Sequence, residues 1–168
     1  ALGSLGSAPA LEYARQIKSE KAVQRITQHQ AQATVMGKTE TILPGKSVII
    51  LSSGKDAYYS DTTRYIGGWK DRSTRLAWDV TVDAKADVEV EIQQSLSDKE
   101  PRTVRVTLGP DSRIIPAQTT PGSEDFTVVS AGSFSLPHAG SWRLWIEAVD
   151  APPGATIMNI RSVSLRRK

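Results

Sequence analysis

From residue 75 onward apolar and polar side chains alternate with a period of two. In "RLAWDVTV" Leu76, Trp78, Val80 and Val82 fall on one face, and Arg75, Ala77, Asp79 and Thr81 on the other. "DVEVEI" sets Val88, Val90 and Ile92 against Asp87, Glu89 and Glu91, and "TVRVTL" sets Val104, Val106 and Leu108 against Arg105 and Thr107. "GSWRLWIEA" sets Trp142, Leu144, Ile146 and Ala148 against Arg143, Trp145 and Glu147. A period of two is the mark of a strand with one face in a core and one in water. "TETIL" and "KSVIILSS", on either side of Pro44-Gly45, read as strands, as do 124–130, 132–136 and 155–166. Turn signals at Gly109-Pro110-Asp111, Pro121-Gly122, Ala139-Gly140 and Pro152-Pro153-Gly154 separate them. About eight or nine short strands, with no helical pattern after residue 33, predict an all-β fold: an antiparallel jelly-roll β-sandwich.

The beginning of the chain reads differently. Residues 1–9 are rich in Gly, Ser, Ala and Pro. Residues 10–32 contain neither Gly nor Pro and carry an imperfect apolar stripe of Leu11, Ala14, Ile17, Ala22, Val23 and Ile26, with Ser19 placed to cap a second segment. This predicts an amphipathic helix, to which Tyr13 belongs, and hence two parts: 1–33, a flexible lead and helix, and 34–168, the sandwich.

Composition narrows the function more than it names it. The net charge of +3 among 168 residues is small, with no basic helix, so no nucleic-acid partner is expected. No apolar run approaches the ~20 residues of a membrane span, so no membrane partner is expected either. The opening "ALGSLGSAPA" has no signal-peptide pattern, which is also how a mature secreted chain reads. Cysteine is absent.

Catalytic chemistry finds little support. The two histidines, His29 and His138, form no metal-binding pair, and neither a nucleophile elbow nor a phosphate-binding loop occurs. Asp79, Glu89, Glu91 and Glu147 alternate with Arg75, Arg105 and Arg143 on the wet faces of strands, as cross-strand ion pairs do. No enzyme is expected, and no cofactor; the acidic loops "GKDAYYSD" (54–61) and "GSED" (122–125) are the places where a structural calcium ion could bind.

The aromatic residues carry the remaining signal. Trp78, Trp142, Phe126 and Phe134 are assigned to the core. Tyr58, Tyr59, Tyr65 and Trp69 crowd into "KDAYYSDTTRYIGGWKDR" among Asp61, Arg64, Asp71 and Arg72. Flat rings with polar groups at the rim are what a sugar ring stacks on. Trp145 points to the wet face of its strand, either as a platform or as a surface covered by the N-terminal helix or a neighbouring domain. Gln93 and Gln94 are further hydroxyl partners; the chain's single Asn is Asn159.

"RYIGGWKDRSTRLAWDVTVDAKADVEVEIQQS" and "DFTVVSAGSFSLPHAGSWRLWIEAVDAPPGATIMNIRSVSLRR" together resemble carbohydrate-binding modules of families 6 and 35, a galactose-binding-like group appended to bacterial glycoside hydrolases, fucosidases and sulfatases. Trp78, Val80 and Val82 match the strand that follows the Gly-Trp loop, and Phe126, Gly132, Leu136, Gly140, Leu144, Ile146, Ile160, Val163 and Leu165 fit the closing pattern. The Glu-Ala-Glu that opens a family-6 calcium site is replaced by "ATVMGKTETI", with Glu40 alone. The resemblance implies a noncatalytic carbohydrate-binding accessory module of a secreted or periplasmic bacterial protein. Its partners would be a glycan or polysaccharide and a linked or neighbouring catalytic domain. Its candidate ligand residues are Tyr58, Tyr59, Asp61, Arg64, Tyr65, Trp69, Asp71, Arg72 and Trp145. The alternative is a structural or protein-interaction sandwich with no sugar ligand, docked through its N-terminal helix.

Overall fold

The computed structural model describes residues 33–168 and the strand backbone of Arg25–Gln28. Its strands are β1 (Arg25–Gln28), β2 (Thr34–Val35), β3 (Glu40–Pro44), β4 (Ile49–Ser52), β5 (Tyr58–Tyr59), β6 (Ile66–Gly67), β7 (Arg75–Val82), β8 (Ala86–Ser95), β9 (Thr103–Leu108), β10 (Asp111–Pro116), β11 (Thr127–Leu136), β12 (Gly140–Asp150) and β13 (Asn159–Arg167). One sheet runs β1-β4-β7-β12-β9-β10 with β2 beside β7, the other β11-β8-β13-β6-β5 with β3 beside β13. All pairings are antiparallel except β2 with β7.

The alternation in the sequence becomes the core. Leu76, Trp78, Val80, Val104, Val106, Leu108, Leu144 and Ile146 of the first sheet pack against Val88, Val90, Ile92, Phe134, Leu136, Val163 and Leu165 of the second, all essentially sealed from water. The indole of Trp78 spends its N–H on the Pro44 carbonyl at 3.0 Å. Trp142 reaches the core only in part; its ring packs on His138 and its N–H is given to the His138 carbonyl at 3.1 Å. The outward charges pair across strands: Arg143 grips Asp79 at 2.7 Å, Arg166 meets Glu91, and Lys168 meets Glu89.

Three sequence expectations are corrected. The helix expected over 10–32 does not hold at Arg25–Gln28, which form a strand in register with Ile49–Ser52; edge pairing overrides local helix preference for this Ile-Thr stretch. The rest of that helix, with Tyr13 and Ser19, lies outside the described residues. The strands expected at 124–130 and 132–136 are one strand, β11, with an irregularity between Ser130 and Gly132. Strand β10 has no counterpart among the expected strands, because an edge strand with no buried residue lacks the period-two signal. It brings the strand total among the described residues to thirteen.

Strand β13 carries a bulge between Ile160 and Ser162. It buries the consecutive residues Asn159 and Ile160 and turns Arg161 out to solvent. Asn159 thereby reaches the end of the sandwich where β8 stops. There the loop at 117–123 is tied down by buried polar side chains. Gln94, wholly enclosed, donates to the Gln118 carbonyl at 2.9 Å and accepts the Gln118 N–H at 2.8 Å. Ser95 donates to the Ser123 carbonyl at 2.6 Å, and Thr120 accepts the Leu96 N–H. Gln94 is therefore a fastening within the fold and not a surface hydroxyl partner. Gln94→Ala should lower stability by about 1–3 kcal/mol through the orphaned Gln118 groups and speed amide exchange in the 117–123 loop. An unchanged urea midpoint would show that the loop is held by something else.

Candidate functional site

The aromatic segment folds as a small hairpin of β5 and β6. Ser60 closes its turn: its N–H donates to the Tyr65 carbonyl, its carbonyl accepts the Arg64 N–H at 2.6 Å, and its Oγ accepts the N–H groups of Thr62 and Thr63. Arg64 (φ 64°) and Ala57 (φ 56°) both adopt left-handed backbone at the ends of this segment, a conformation that costs a non-glycine residue about 1–2 kcal/mol. Asp56 locks the hairpin to the next turn, its two carboxylate oxygens accepting the N–H groups of Lys70 and Asp71 at 2.9 and 3.1 Å.

Two glycines make room for two rings. Tyr58 pairs with Gly67 and is 60% exposed. A Cβ on Gly68 would stand 2.7 Å from the Tyr58 ring, and one on Gly67 would stand 3.2 Å from the ring of Tyr65. Both tyrosines therefore lie close against bare backbone. Tyr65 also touches Phe126 at 5.2 Å between ring centres, and Arg161 stacks on the Phe126 ring at 4.0 Å. Phe126, expected in the core, is thus half-buried in a surface cluster.

Tyr58 and Tyr65 line a groove of about 410 Å³ at the loop end of the sandwich. Ser60, Thr63, Gly67 and Gly68 complete the hairpin wall. Leu96, Ser97 and Asp98 form a second part of the lining, and Ser123, Ala155, Thr156 and Asn159 the remainder. Asn159 is held by its amide, which donates to Ser95 Oγ at 3.1 Å. Arg102, with no exposed side-chain surface, ties two parts of the lining together: Nε donates to the Thr156 carbonyl at 2.9 Å, one terminal nitrogen to the Glu100 carbonyl and the other to Asp98 at 2.9 Å. The Arg102 hydrogen bond, and then the Glu100 backbone N–H, hold the Asp98 carboxyl below its ordinary range.

The other sequence candidates are dispersed. Trp69 is fully buried in the core, its carbonyl accepting the Ile157 N–H and its indole N–H without a partner among the described residues. It forms no part of the surface. Tyr59, on the opposite side of β5, packs on the core and lines a second depression with Asp61, Arg64, Gln93 and Arg161. Asp71 shapes its own turn by accepting both the N–H and the hydroxyl of Ser73, which lowers its pKa. Arg72 donates to the Val149 carbonyl at 2.8 Å. Trp145 lies on the outer face of the first sheet, in a row with Ala77 and Ile49, with Arg75 and Arg143 over its ring at 4.6 and 5.4 Å. Sequence reasoning passes over Ser60, Thr63, Asp98 and Thr156. It marks Asn159 only as the lone Asn, and the Gly67-Gly68 pair beside the tyrosines is the legible sign of this groove. Among the described residues no three carboxylate or histidine side chains gather as a metal site would require, and no helix is long and apolar enough to cross a membrane.

No family model and no curated protein matches the chain. Solved structures do. A family 35 carbohydrate-binding module from Clostridium thermocellum superposes with a TM-score of 0.61 at 12% identity, over 76% of this chain and 97% of that one. The fold is that of the family 35 and family 6 modules. The C-terminal family 6 module of LamC, a marine laminarinase from Zobellia galactanivorans, gives 0.57 at 12% identity, over 76% of this chain and 98% of that one. The mosquito-larvicidal Cry4Aa toxin of Bacillus thuringiensis gives 0.65 at 10% identity over 81% of this chain, which spans 25% of the toxin. At these identities the likeness is one of fold.

Trp69→Ala should therefore cost about 3–5 kcal/mol of stability, where Tyr58→Ala should leave the denaturant midpoint within about 0.5 kcal/mol; equal losses would put Trp69 outside the core. Because the Asp98 carboxyl titrates below its ordinary range, its ion pair stabilises the fold above that range and is lost only as pH falls through the lowered value. An NMR titration of the Asp98 carboxyl should give a midpoint below 3.8, and a midpoint at or above it would contradict the Arg102 clamp.

Proposed function

We propose that this chain is a noncatalytic carbohydrate-binding module, and that the groove between Tyr58, Tyr65, Asp98 and Asn159 holds the sugar. The observation that carries the reading is the pair of tyrosines laid over Gly67 and Gly68 beside a groove lined by hydroxyl groups and the Asn159 amide. A pyranose offers a flat C–H face and a ring of hydroxyls. The rings supply apolar contact to the first, and Ser60, Thr63, Thr156 and Asn159 supply directed hydrogen bonds to the second. A groove open to solvent accepts a chain as well as a single residue. The module would serve a secreted or periplasmic bacterial protein that processes polysaccharide, beside a catalytic domain it does not itself contain. The fold likeness to two whole binding modules supports this, and the likeness to a toxin makes the groove, not the fold, the deciding feature.

The test is calorimetric titration with laminarin, β-mannan and β-1,3-galactan. At least one should bind, with Tyr58→Ala and Tyr65→Ala each weakening it about tenfold or more while Trp145→Ala leaves it unchanged. Failure of all three glycans to bind, or sensitivity to Trp145 with indifference to Tyr58, would remove the groove reading.

A further inference from the structure

The described lining of the groove carries one charge. Among its described lining residues only Asp98 is ionised at neutral pH. Its Oδ1 accepts the Glu100 N–H at 3.0 Å and its Oδ2 accepts from Arg102 at 2.9 Å. A carboxylate oxygen has two lone pairs, so each retains acceptor capacity, and the side chain is 45% exposed. The positive member of the pair is placed differently. The Arg102 side chain is 0% exposed, and its donors are directed at the Thr156 carbonyl, the Glu100 carbonyl and Asp98. A ligand in the groove meets the carboxylate and not the guanidinium.

From this polarity we infer that the groove selects neutral sugars over carboxylated or sulfated ones, with Asp98 as the acceptor for a sugar hydroxyl and Arg102 as the residue that positions it. A neutral sugar gives Asp98 a hydroxyl hydrogen, a charge-assisted bond. A uronate in the same place brings a second negative charge, and no described lining residue offers a cation to meet it. The lowered titration of Asp98 keeps the charge in place through mildly acidic pH. Arg102 also fixes the Thr156 carbonyl, so one buried side chain sets the spacing between two parts of the lining. The far side of the hairpin has the opposite balance, with Lys46, Arg64 and Arg161 beside Asp61 around its depression, so binding there must be separated from binding in the groove.

This inference rests on the carbohydrate reading, and a matched pair of polymers separates the two. Galactan and polygalacturonate are titrated calorimetrically into the wild type, Asp98→Asn and Tyr58→Ala, at low and at high salt. Groove binding is the part lost in Tyr58→Ala. In the wild type the groove should prefer galactan by about tenfold or more. High salt, which shortens the reach of exposed charges to a few ångströms, should narrow that preference. Asp98→Asn should raise groove affinity for polygalacturonate about threefold or more while galactan binding falls. The salt series needs no variant, so it decides the matter if Asp98→Asn destabilises the fold. Equal groove affinity for both polymers in the wild type, or a preference that neither salt nor Asp98→Asn changes, overturns the charge assignment and leaves the carbohydrate reading intact. Absence of Tyr58-dependent binding to laminarin, mannan and galactan alike overturns both.

Discussion

Alternation can seal a sandwich only between its sheets. Each strand of period two turns one row of side chains inward, and the two rows meet as a dry layer from Leu76 and Ile146 on one side to Val90 and Leu165 on the other. At the ends of the strands the backbone turns, and its carbonyl and N–H groups would face that layer unpaired. The groove end is closed by a polar plug instead. Gln94, Ser95, Arg102, Thr120 and Asn159 are buried and hydrogen-bonded; the first four bond to loop backbone that aliphatic side chains could not hold, and Asn159 bonds to Ser95. The loop positions that shape the groove are consequences of that plug.

The site combines a rigid foundation with a thin covering. Asn159 and Ser95 form a relay from β13 through β8 to the Ser123 carbonyl, so the amide at the back of the groove is set by the two most central strands of the second sheet. The tyrosines at the front ride on a hairpin of two-residue strands, closed by Ser60 and pinned by Asp56. Buried polar atoms on the rigid side give direction, and exposed rings on the lighter side give contact area.

The sandwich is legible because burial on one face writes itself into the sequence as period two. Elements without that imprint escape it: the edge strand β10, and β1, where Ile26 and Thr27 sit in a stretch of good helix formers. The site is legible only in outline. The cluster around Tyr58 and Tyr65 stands out by composition, yet composition cannot distinguish Trp69, which is core, from its exposed neighbours. Nor can it join Asp98, Thr156 and Asn159, far apart in the chain and brought together by loops whose hydrogen bonds have no period. Of the acidic residues read as cross-strand partners of Arg75, Arg105 and Arg143, Asp79 meets Arg143, while Glu91 and Glu89 pair across strands with Arg166 and Lys168 at the end of the chain, which the spacing within single strands does not show.

Tyr58 and Tyr59 are neighbours in sequence and occupy opposite sides of the same short strand, one over the groove and the other toward the depression around Arg161. A strand this short has no second turn of pleat to absorb an error in length. Insertion or loss of a single residue between Asp56 and Ser60 would exchange the two rings, and with them the surface around Asp98 for the one around Lys46, Asp61, Arg64 and Arg161. The hairpin therefore does not tolerate a change in length, and a relative with one residue more or fewer here would be expected to carry its aromatic contact on the other side.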